Sequence, residues 1–527
     1  MEWWQTGVIY QIYPRSFQDG NGDGVGDLTG ILGRVDYLSE TLGVDAVWLS
    51  PFYRSPMDDF GYDISDYCDV DPLFGGLDDF DRLLEAFHDR GVRVIVDLVP
   101  NHTSDRHPWF LESRSGRDHP RREWYVWADP GPDGGPPNNW LAAFGGVAWE
   151  WDESTGQYYL HSFLRSQPDL NWRNPEVEAA MFDVMRFWLE RGVDGFRLDV
   201  AHFVMKDPDL RDNPVIEPGV GAFKDMAEYG TQDHLYDKGH PDVHPLFRRM
   251  RALLDGYRPP RVAIGEIHID DYRQWAAYYG ADRDELHLPF NFRLLYADWQ
   301  ADAIGALVDE LEAALPTGAW PNYVLGNHDE PRLATRFGPE NRRLAAMLLL
   351  TLRGTPTLYY GDELGLSEVE IPSDRQVDPW GLQVPGLGRD GCRTPMPWDG
   401  TPGAGFTSGE PWLPLGPQAA AMHVAAQLED PGSVLNLYRA LLGLRRGMPS
   451  LHRGGYRRIE APAGVLGYRR EAPGAAPVAV MLNFTGEGQV VEAAGEIALS
   501  TTMNRTGTRS AGSIILAPHE GIVIVDR

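Results

Sequence analysis

For most of its length the chain alternates between short apolar runs and longer amphipathic stretches. Runs rich in β-branched and aromatic residues occupy positions 8–13, 44–49, 92–99, 195–200, 262–267, 286–290, 323–326 and 357–360. Each is too short and too apolar for a surface helix, and each reads as a buried strand. Between them, positions 80–90, 176–191, 245–254, 303–315 and 341–352 space their apolar residues as helices do. Gly91 and Gly192 supply helix stops. Eight strands separated by helices predict an α/β fold, a (β/α)8 TIM barrel. An open doubly wound sheet would want a Gly-rich phosphate loop after its first strand, and residues 19–30 form an acidic loop there instead.

Two interruptions break the alternation. The stretch after the third strand is rich in Gly, Pro, Trp and His, as in the run 129–140, and a connection that long is usually functional. A second irregular, Pro-rich excursion covers about 367–412, and a helix over 433–446 then closes the barrel. From about residue 455 the pattern changes to short alternating strands at 478–483, 514–516 and 521–525. The expected organisation is a first barrel part over 1–100, an inserted lid subdomain over 101–172, a second barrel part over 173–448 and a C-terminal all-β domain over 455–527.

The net charge of −30 argues against nucleic acid and anionic membranes as partners and leaves neutral ligands open. The 59 aromatic residues (17 Trp, 22 Tyr and 20 Phe) suit carbohydrate faces, although a large core uses the same types. Two cysteines, Cys68 and Cys392, make no disulfide framework and suit a reducing compartment. The first residues carry no basic region followed by an apolar stretch and a cleavage site. The longest apolar run, at 345–352, is far short of the ~20 residues of a membrane span. A cytoplasmic protein is expected.

Candidate chemistry sits where the strands end. Asp199 closes the fourth strand, Glu266 the fifth, and Asp329 follows the seventh. Acids at the C-terminal ends of parallel barrel strands share one mouth. Arg197, two residues before Asp199, faces the same side and is expected to keep that carboxylate ionised. Glu266 has an apolar approach through Ala263, Ile264 and Gly265, which is expected to raise its pKa and keep it protonated. An ionised nucleophile beside a protonated acid is what a retaining glycoside hydrolase requires, and three strand-end acids with His102, Arg197 and His328 nearby point to that class.

Several motifs in order carry a closer resemblance. They are Asp97-Leu98-Val99-Pro100-Asn101-His102, residues 195–202, Gly265-Glu266-Ile267, Gly326-Asn327-His328-Asp329 and Gln167-Pro168-Asp169-Leu170-Asn171-Trp172. Over nearly its whole length the chain resembles the α-amylase family of glycoside hydrolases, in its oligo-1,6-glucosidase and α-glucosidase branch. The resemblance implies Asp199 as nucleophile, Glu266 as acid/base and Asp329 as the third acid gripping sugar hydroxyls. It implies Tyr62, His102, Arg197 and His328 around the −1 sugar, with Tyr62 as stacking platform, and Asp97 in support. An Asp–Arg pair that limits attack to chain ends would be Asp59 with Arg393. The expected activity is exo-acting release of glucose from maltose, isomaltose and short oligosaccharides by double displacement. A transglucosidase or maltose–trehalose mutase would use the same residues. A non-catalytic barrel relative is the remote alternative, disfavoured by the intact acids.

Three departures refine this. Many α-amylases carry Lys-His where this chain has His202-Phe203, which disfavours endo-attack on starch. Val200, directly after the nucleophile, resembles enzymes that accept α-1,6 bonds, whereas Thr there accompanies strict α-1,4 preference. Glu330 stands where relatives often have Gln.

The loop 19–27 places oxygen-bearing residues at alternate positions with Gly24 sixth, like the start of a calcium loop. Gly30 at position twelve rules out an EF-hand. The resemblance implies a structural divalent cation, Ca2+ or Mg2+, held by Asp19, Asn21, Asp23, the Val25 carbonyl and Asp27. No organic cofactor is expected. His234, His240 and His244 match no zinc spacing.

Overall fold

The computed structural model describes residues 1–217 and 228–525. Eight parallel strands close into a barrel: β1 (Ile9–Ile12), β2 (Ala46–Leu49), β3 (Arg93–Leu98), β4 (Gly195–Leu198), β5 (Val262–Gly265), β6 (Leu288–Asn291), β7 (Asn322–Val324) and β8 (Thr355–Tyr359). Each strand pairs with its neighbours in sequence order, and β8 returns to β1. The TIM-barrel reading therefore holds. Alternation along the strands sorts side chains into two layers. Ile9, Trp48, Ile95, Ile264, Leu288, Phe290 and Val324 fill the barrel, while Tyr10, Val47, Val94, Val96 and Phe196 pack outward in the core beneath the helices.

The helical periods give α1 (Leu77–Asp89), α2 (Pro175–Arg191), α3 (Val243–Asp255), α4 (Ala301–Ala314), α5 (Arg342–Thr351) and α6 (Val434–Gly447). α2 shows why the local sequence suffices. The Asn174 side chain accepts the Glu176 N–H, Pro175 starts the first turn, and Gly192 at φ 112° ends the helix.

Between β3 and β4 the chain leaves the barrel and forms helix Pro108–Arg114 and a small antiparallel sheet of Trp127–Ala128, Trp149–Asp152 and Gln157–Leu160. Phe144 and Phe163 from this insertion pack over the barrel mouth against Phe203 and Trp380. The C-terminal domain is one antiparallel sheet of β9 (Gly455–Ile459), β10 (Val465–Glu471), β11 (Val478–Asn483), β12 (Gln489–Ser500), β13 (Arg509–Leu516) and β14 (Gly521–Val525), ordered β9-β10-β11-β14-β12-β13. It sits close against α5, where Gly521 approaches Leu344 and Met347. Among the described residues no helix is long and apolar enough to cross a membrane.

Candidate active site

The site begins with register. Asp97 on β3 lies opposite Arg197 on β4, so the two side chains enter the barrel together. Arg197 is buried and its guanidinium serves three acids. Nη1 donates to Asp97 Oδ1 at 2.9 Å and to Asp199 Oδ1 at 2.7 Å, and Nη2 donates to Glu266 Oε2 at 2.6 Å. One planar fork thus fixes both the expected nucleophile and the expected proton donor.

Burial pushes the Asp199 carboxyl well above the usual carboxylate range, against the pull of Arg197, with Glu266, Asp97 and Asp329 adding to the rise. The sequence reading expected Arg197 to hold it low. The guanidinium is shared among three carboxylates, and its one charge does not offset the burial of Asp199. Burial also raises Asp97 to about 6, again opposed by Arg197.

The surroundings of Glu266 differ from the apolar approach read from sequence. Its backbone approach is tight: a Cβ at Gly265 would lie 2.3 Å from Leu286 Cδ1. The carboxyl itself emerges among donors. Oε2 accepts from Arg197 and from the Val200 N–H at 2.9 Å, and Oε1 meets His268 Nε2 at 2.7 Å. Val200 reaches that position with φ 35° and ψ 46°, a left-handed backbone that a β-branched residue rarely adopts. The strain aims its N–H at Glu266.

Tyr62 lies parallel to the His328 ring, centroids 5.2 Å apart, and their Oη and Nε2 are 2.6 Å apart. Gln11 Nε2 meets His328 Nδ1 at 2.7 Å. With Nδ1 accepting from the Gln11 amide, Nε2–H donates to Tyr62, whose hydroxyl donates to Asp97 Oδ2 at 3.1 Å. Burial drives His328 down to about 3 and His102 to about 4. Both imidazoles are neutral hydrogen-bonding groups at ordinary pH. The Asn101 amide nitrogen lies 3.2 Å from His102 Nδ1 and that of Gln167 3.3 Å from Nε2, and the neutral ring accepts from one of the two.

The expected Asp59–Arg393 pair requires correction. Arg389, not Arg393, meets Asp59: Nη2 donates to Asp59 Oδ1 at 2.7 Å. The same guanidinium donates to Asp329 Oδ1 at 3.0 Å and to Asp378 Oδ1 at 2.6 Å. Arg393 lies one layer behind, donating to the His328 carbonyl at 2.7 Å and to Asp329 at 3.1 Å. The two arginines are four residues apart in one irregular loop, and the short helical turn Asp390–Cys392 points them differently. In the sequence both arginines stand in the short stretch 389–393, and the resemblance pointed to the second. Phe144 from the insertion lies under the Arg389 guanidinium, 4.9 Å from its ring centroid.

These groups line one cavity, walled by Asp59, Tyr62, His102, Asp199, Glu266, His328, Asp329 and Arg389 with Phe144, Phe163 and Val200. A second cavity shares Phe163 and Val200 with it and is lined further by Lys238, His268, Asp270, Phe292, Arg293 and Tyr296.

The Asp19–Asp27 loop lies elsewhere. Asp19 accepts the N–H groups of Asn21, Gly22 and Gly24, Asn21 that of Asp23, Asp23 that of Val25, and Asp27 those of Gly20 and Gly30. Against burial, hydrogen bonds from Thr407 and these amides hold Asp19 below the usual carboxylate range. Among the described residues, no three His, Cys, Asp or Glu side chains gather as a ready metal cluster. The donors present are all hard oxygens, including the Asn21 amide and the Val25 carbonyl, the set that suits Ca2+.

The histidines set aside from zinc are engaged otherwise. His234 pairs with Asp237, His240 with Asp242 and His244 with Glu285.

Residues 11–454 match the α-amylase catalytic-domain model. A probable α-glucosidase of Rhizobium meliloti (strain 1021) is 46% identical over 505 residues, covering 93% of this chain and 91% of that protein. An oligo-1,6-glucosidase of Parageobacillus thermoglucosidasius is 41% identical over 482 residues, 84% of each chain. Among solved structures, an α-glucosyl transfer enzyme is 47% identical and superposes with a TM-score of 0.95, covering 100% of both chains. A trehalulose synthase from Pseudomonas mesoacidophila MX-45 is 35% identical with a TM-score of 0.89, covering 100% of this chain and 99% of that one.

Proposed function

The chain belongs to the α-amylase family of glycoside hydrolases, and we propose that it is a retaining, exo-acting α-glucosidase releasing glucose from short α-glucosides. The observation that carries this reading is the closed end of the inner cavity. Asp59, Arg389 and Asp329 interlock through ion pairs at one side of the pocket, where they would stop a chain from continuing past the terminal sugar. In double displacement Asp199 attacks the anomeric carbon while Glu266 protonates the leaving oxygen. Glu266 then takes a proton from water, whose oxygen bonds to the same carbon as the glucosyl–Asp199 bond breaks, releasing α-glucose. Asp329, Tyr62, His102 and His328 would grip the sugar, and Arg197 would carry the charge shared by the two acids.

Maltose, isomaltose and short oligosaccharides are the proposed substrates, with Val200 supporting acceptance of α-1,6 bonds. Ca2+ in the Asp19–Asp27 loop is proposed as a structural ion that takes no part in the reaction. The free Cys68 and Cys392 support a cytoplasmic location.

A second reading, glucosyl transfer, is favoured by the outer cavity. Its walls stand directly beyond Val200 and Glu266, where a sugar or alcohol acceptor would compete with water. A product time course by carbohydrate chromatography with maltose tests both. Glucose as main product supports hydrolysis. Accumulating trehalose or longer glucosides moves the assignment to transfer on the same residues. Inert maltose overturns the α-glucosidase reading.

A further inference from the structure

We propose that His268 is a positioning residue for the proton donor, holding Glu266 Oε1 as the oxygen that delivers the proton to the leaving group. The inference rests on Glu266 being the acid/base. The two carboxyl oxygens are not equivalent. Oε2 accepts two N–H bonds, from Arg197 at 2.6 Å and Val200 at 2.9 Å, and its lone pairs are committed. A transferable proton therefore belongs on Oε1, the oxygen 2.7 Å from His268 Nε2.

His268 is itself fixed. Its ring lies on Phe292 with centroids 4.3 Å apart and planes 9° apart, and its side chain is 16% exposed at the wall of the outer cavity. Glu266 lines the inner cavity and His268 the outer one, so their contact marks the junction where a glycosidic oxygen would lie. Other charged or titratable groups face this junction from neighbouring elements. They are Asp199 and His202 after β4, Lys238 farther along that connection, Asp270 after β5, and Arg293 and Tyr296 after β6.

The proton balance is simple. As the glycosidic C–O bond breaks, the Oε1 proton passes to the leaving oxygen, and the new carboxylate keeps the His268 N–H bond. As water or an alcohol bonds to the anomeric carbon, the bond between that carbon and Asp199 breaks, Asp199 leaves as a carboxylate, and the acceptor's proton returns to Oε1. His268 gains and loses none. Its N–H favours the ionised carboxylate and turns the acid proton toward the junction.

Two variants of the full-length enzyme test this with two substrates, maltose and 4-nitrophenyl α-glucoside, whose leaving group needs little protonation. His268→Phe keeps the stack on Phe292 and removes the N–H, whereas His268→Gln keeps a donor. H268F is expected to lose about tenfold in kcat/KM on maltose and less than about threefold on the aryl glucoside, a fraction of the ~10²–10⁴ that general acid catalysis supplies. The basic limb of its pH profile on maltose should move upward, and H268Q should recover most of the maltose activity. Retained aryl-glucoside activity shows that the variant folds. Equal losses on both substrates, or an unmoved basic limb, would overturn the role of His268. A Glu266→Gln control losing both substrates alike would instead remove the reading of Glu266.

Discussion

Arg389 Nη2 meets Asp59 Oδ1 at 2.7 Å, joining the loop after β2 to the loop after β8 across the closed side of the pocket. The same guanidinium also pairs with Asp378 and, together with Arg393, with Asp329. Breaking one side of a buried ion pair costs about 3–5 kcal/mol, and here Asp59 and Asp378 lose their arginine while Asp329 keeps Arg393. Arg389→Ala should lower the thermal midpoint and reduce kcat/KM on maltose roughly 10–100-fold, as expected for a lost charged hydrogen bond. Calorimetry and initial rates check both. Wild-type affinity for maltose in a folded R389A enzyme would remove the pocket-closing role.

The nucleophile can be tested by its covalent product. A glucosyl fluoride carrying a second fluorine on the ring should label Asp199 and leave the adduct slow to hydrolyse. Intact mass followed by peptide mapping should place the added mass on the peptide containing Asp199. Asp199→Asn should lose at least roughly 10³-fold in kcat with every α-glucoside, good leaving group or poor, since catalytic steps that act as a unit fail together. Labelling at Asp329 instead would reassign the two acids.

Val200 lines both cavities while its strained backbone holds Glu266. Val200→Thr keeps the shape and adds a hydroxyl where the leaving sugar passes. Discrimination from a change of this size is about 10–200-fold. The ratio of kcat/KM on isomaltose to that on maltose should fall about tenfold, near the lower end of that range. An unchanged ratio would show that linkage preference resides elsewhere in the outer cavity.

Much of this was legible in the sequence because it rests on short-range rules. Strand ends carry Asp199, Glu266 and Asp329, and parallel closure brings strand ends to one mouth. Asp97 and Arg197 meet because adjacent strands are in register. Loop geometry was not legible. Arg389 and Arg393 differ by the path of one short turn, and no periodicity distinguishes which reaches Asp59. The polar seat of Glu266 was hidden for the same reason, since Val200 N–H and His268 arrive from residues just past two different strands. The balance at Asp199 depends on how many acids share Arg197, a count only the folded site supplies.

His102 gives a pH prediction with a definite sign. Burial lowers it from 6.5 to about 4 in the folded protein. Below pH 6.5 the unfolded chain takes up a proton that the folded site refuses, so this group costs stability as pH falls from 6.5 toward 4. His102→Asn cannot titrate. The wild type's lead in thermal midpoint over H102N should therefore be largest above pH 6.5 and shrink on acidification. Melting curves at several pH values check it, and a lead that grows on acidification would contradict neutral burial of His102.

The acidic loop offers a test independent of catalysis. Asp23 is exposed, and its Oδ1 accepts the Val25 N–H, a bond that Asn can also make. Asp23→Asn therefore keeps the turn and removes one of the charges offered to a cation. A ligand that binds only the folded state stabilises it by about 2.7 kcal/mol at one hundred times its Kd. Saturating Ca2+ should thus raise the wild-type melting temperature above that in EDTA, while D23N should show little increment and a near-normal EDTA value. Mg2+ should give a smaller increment, because its demand for near-octahedral geometry suits this set of loop oxygens less well. An identical melting temperature with Ca2+ and with EDTA would mean that the Asx turns alone hold the loop.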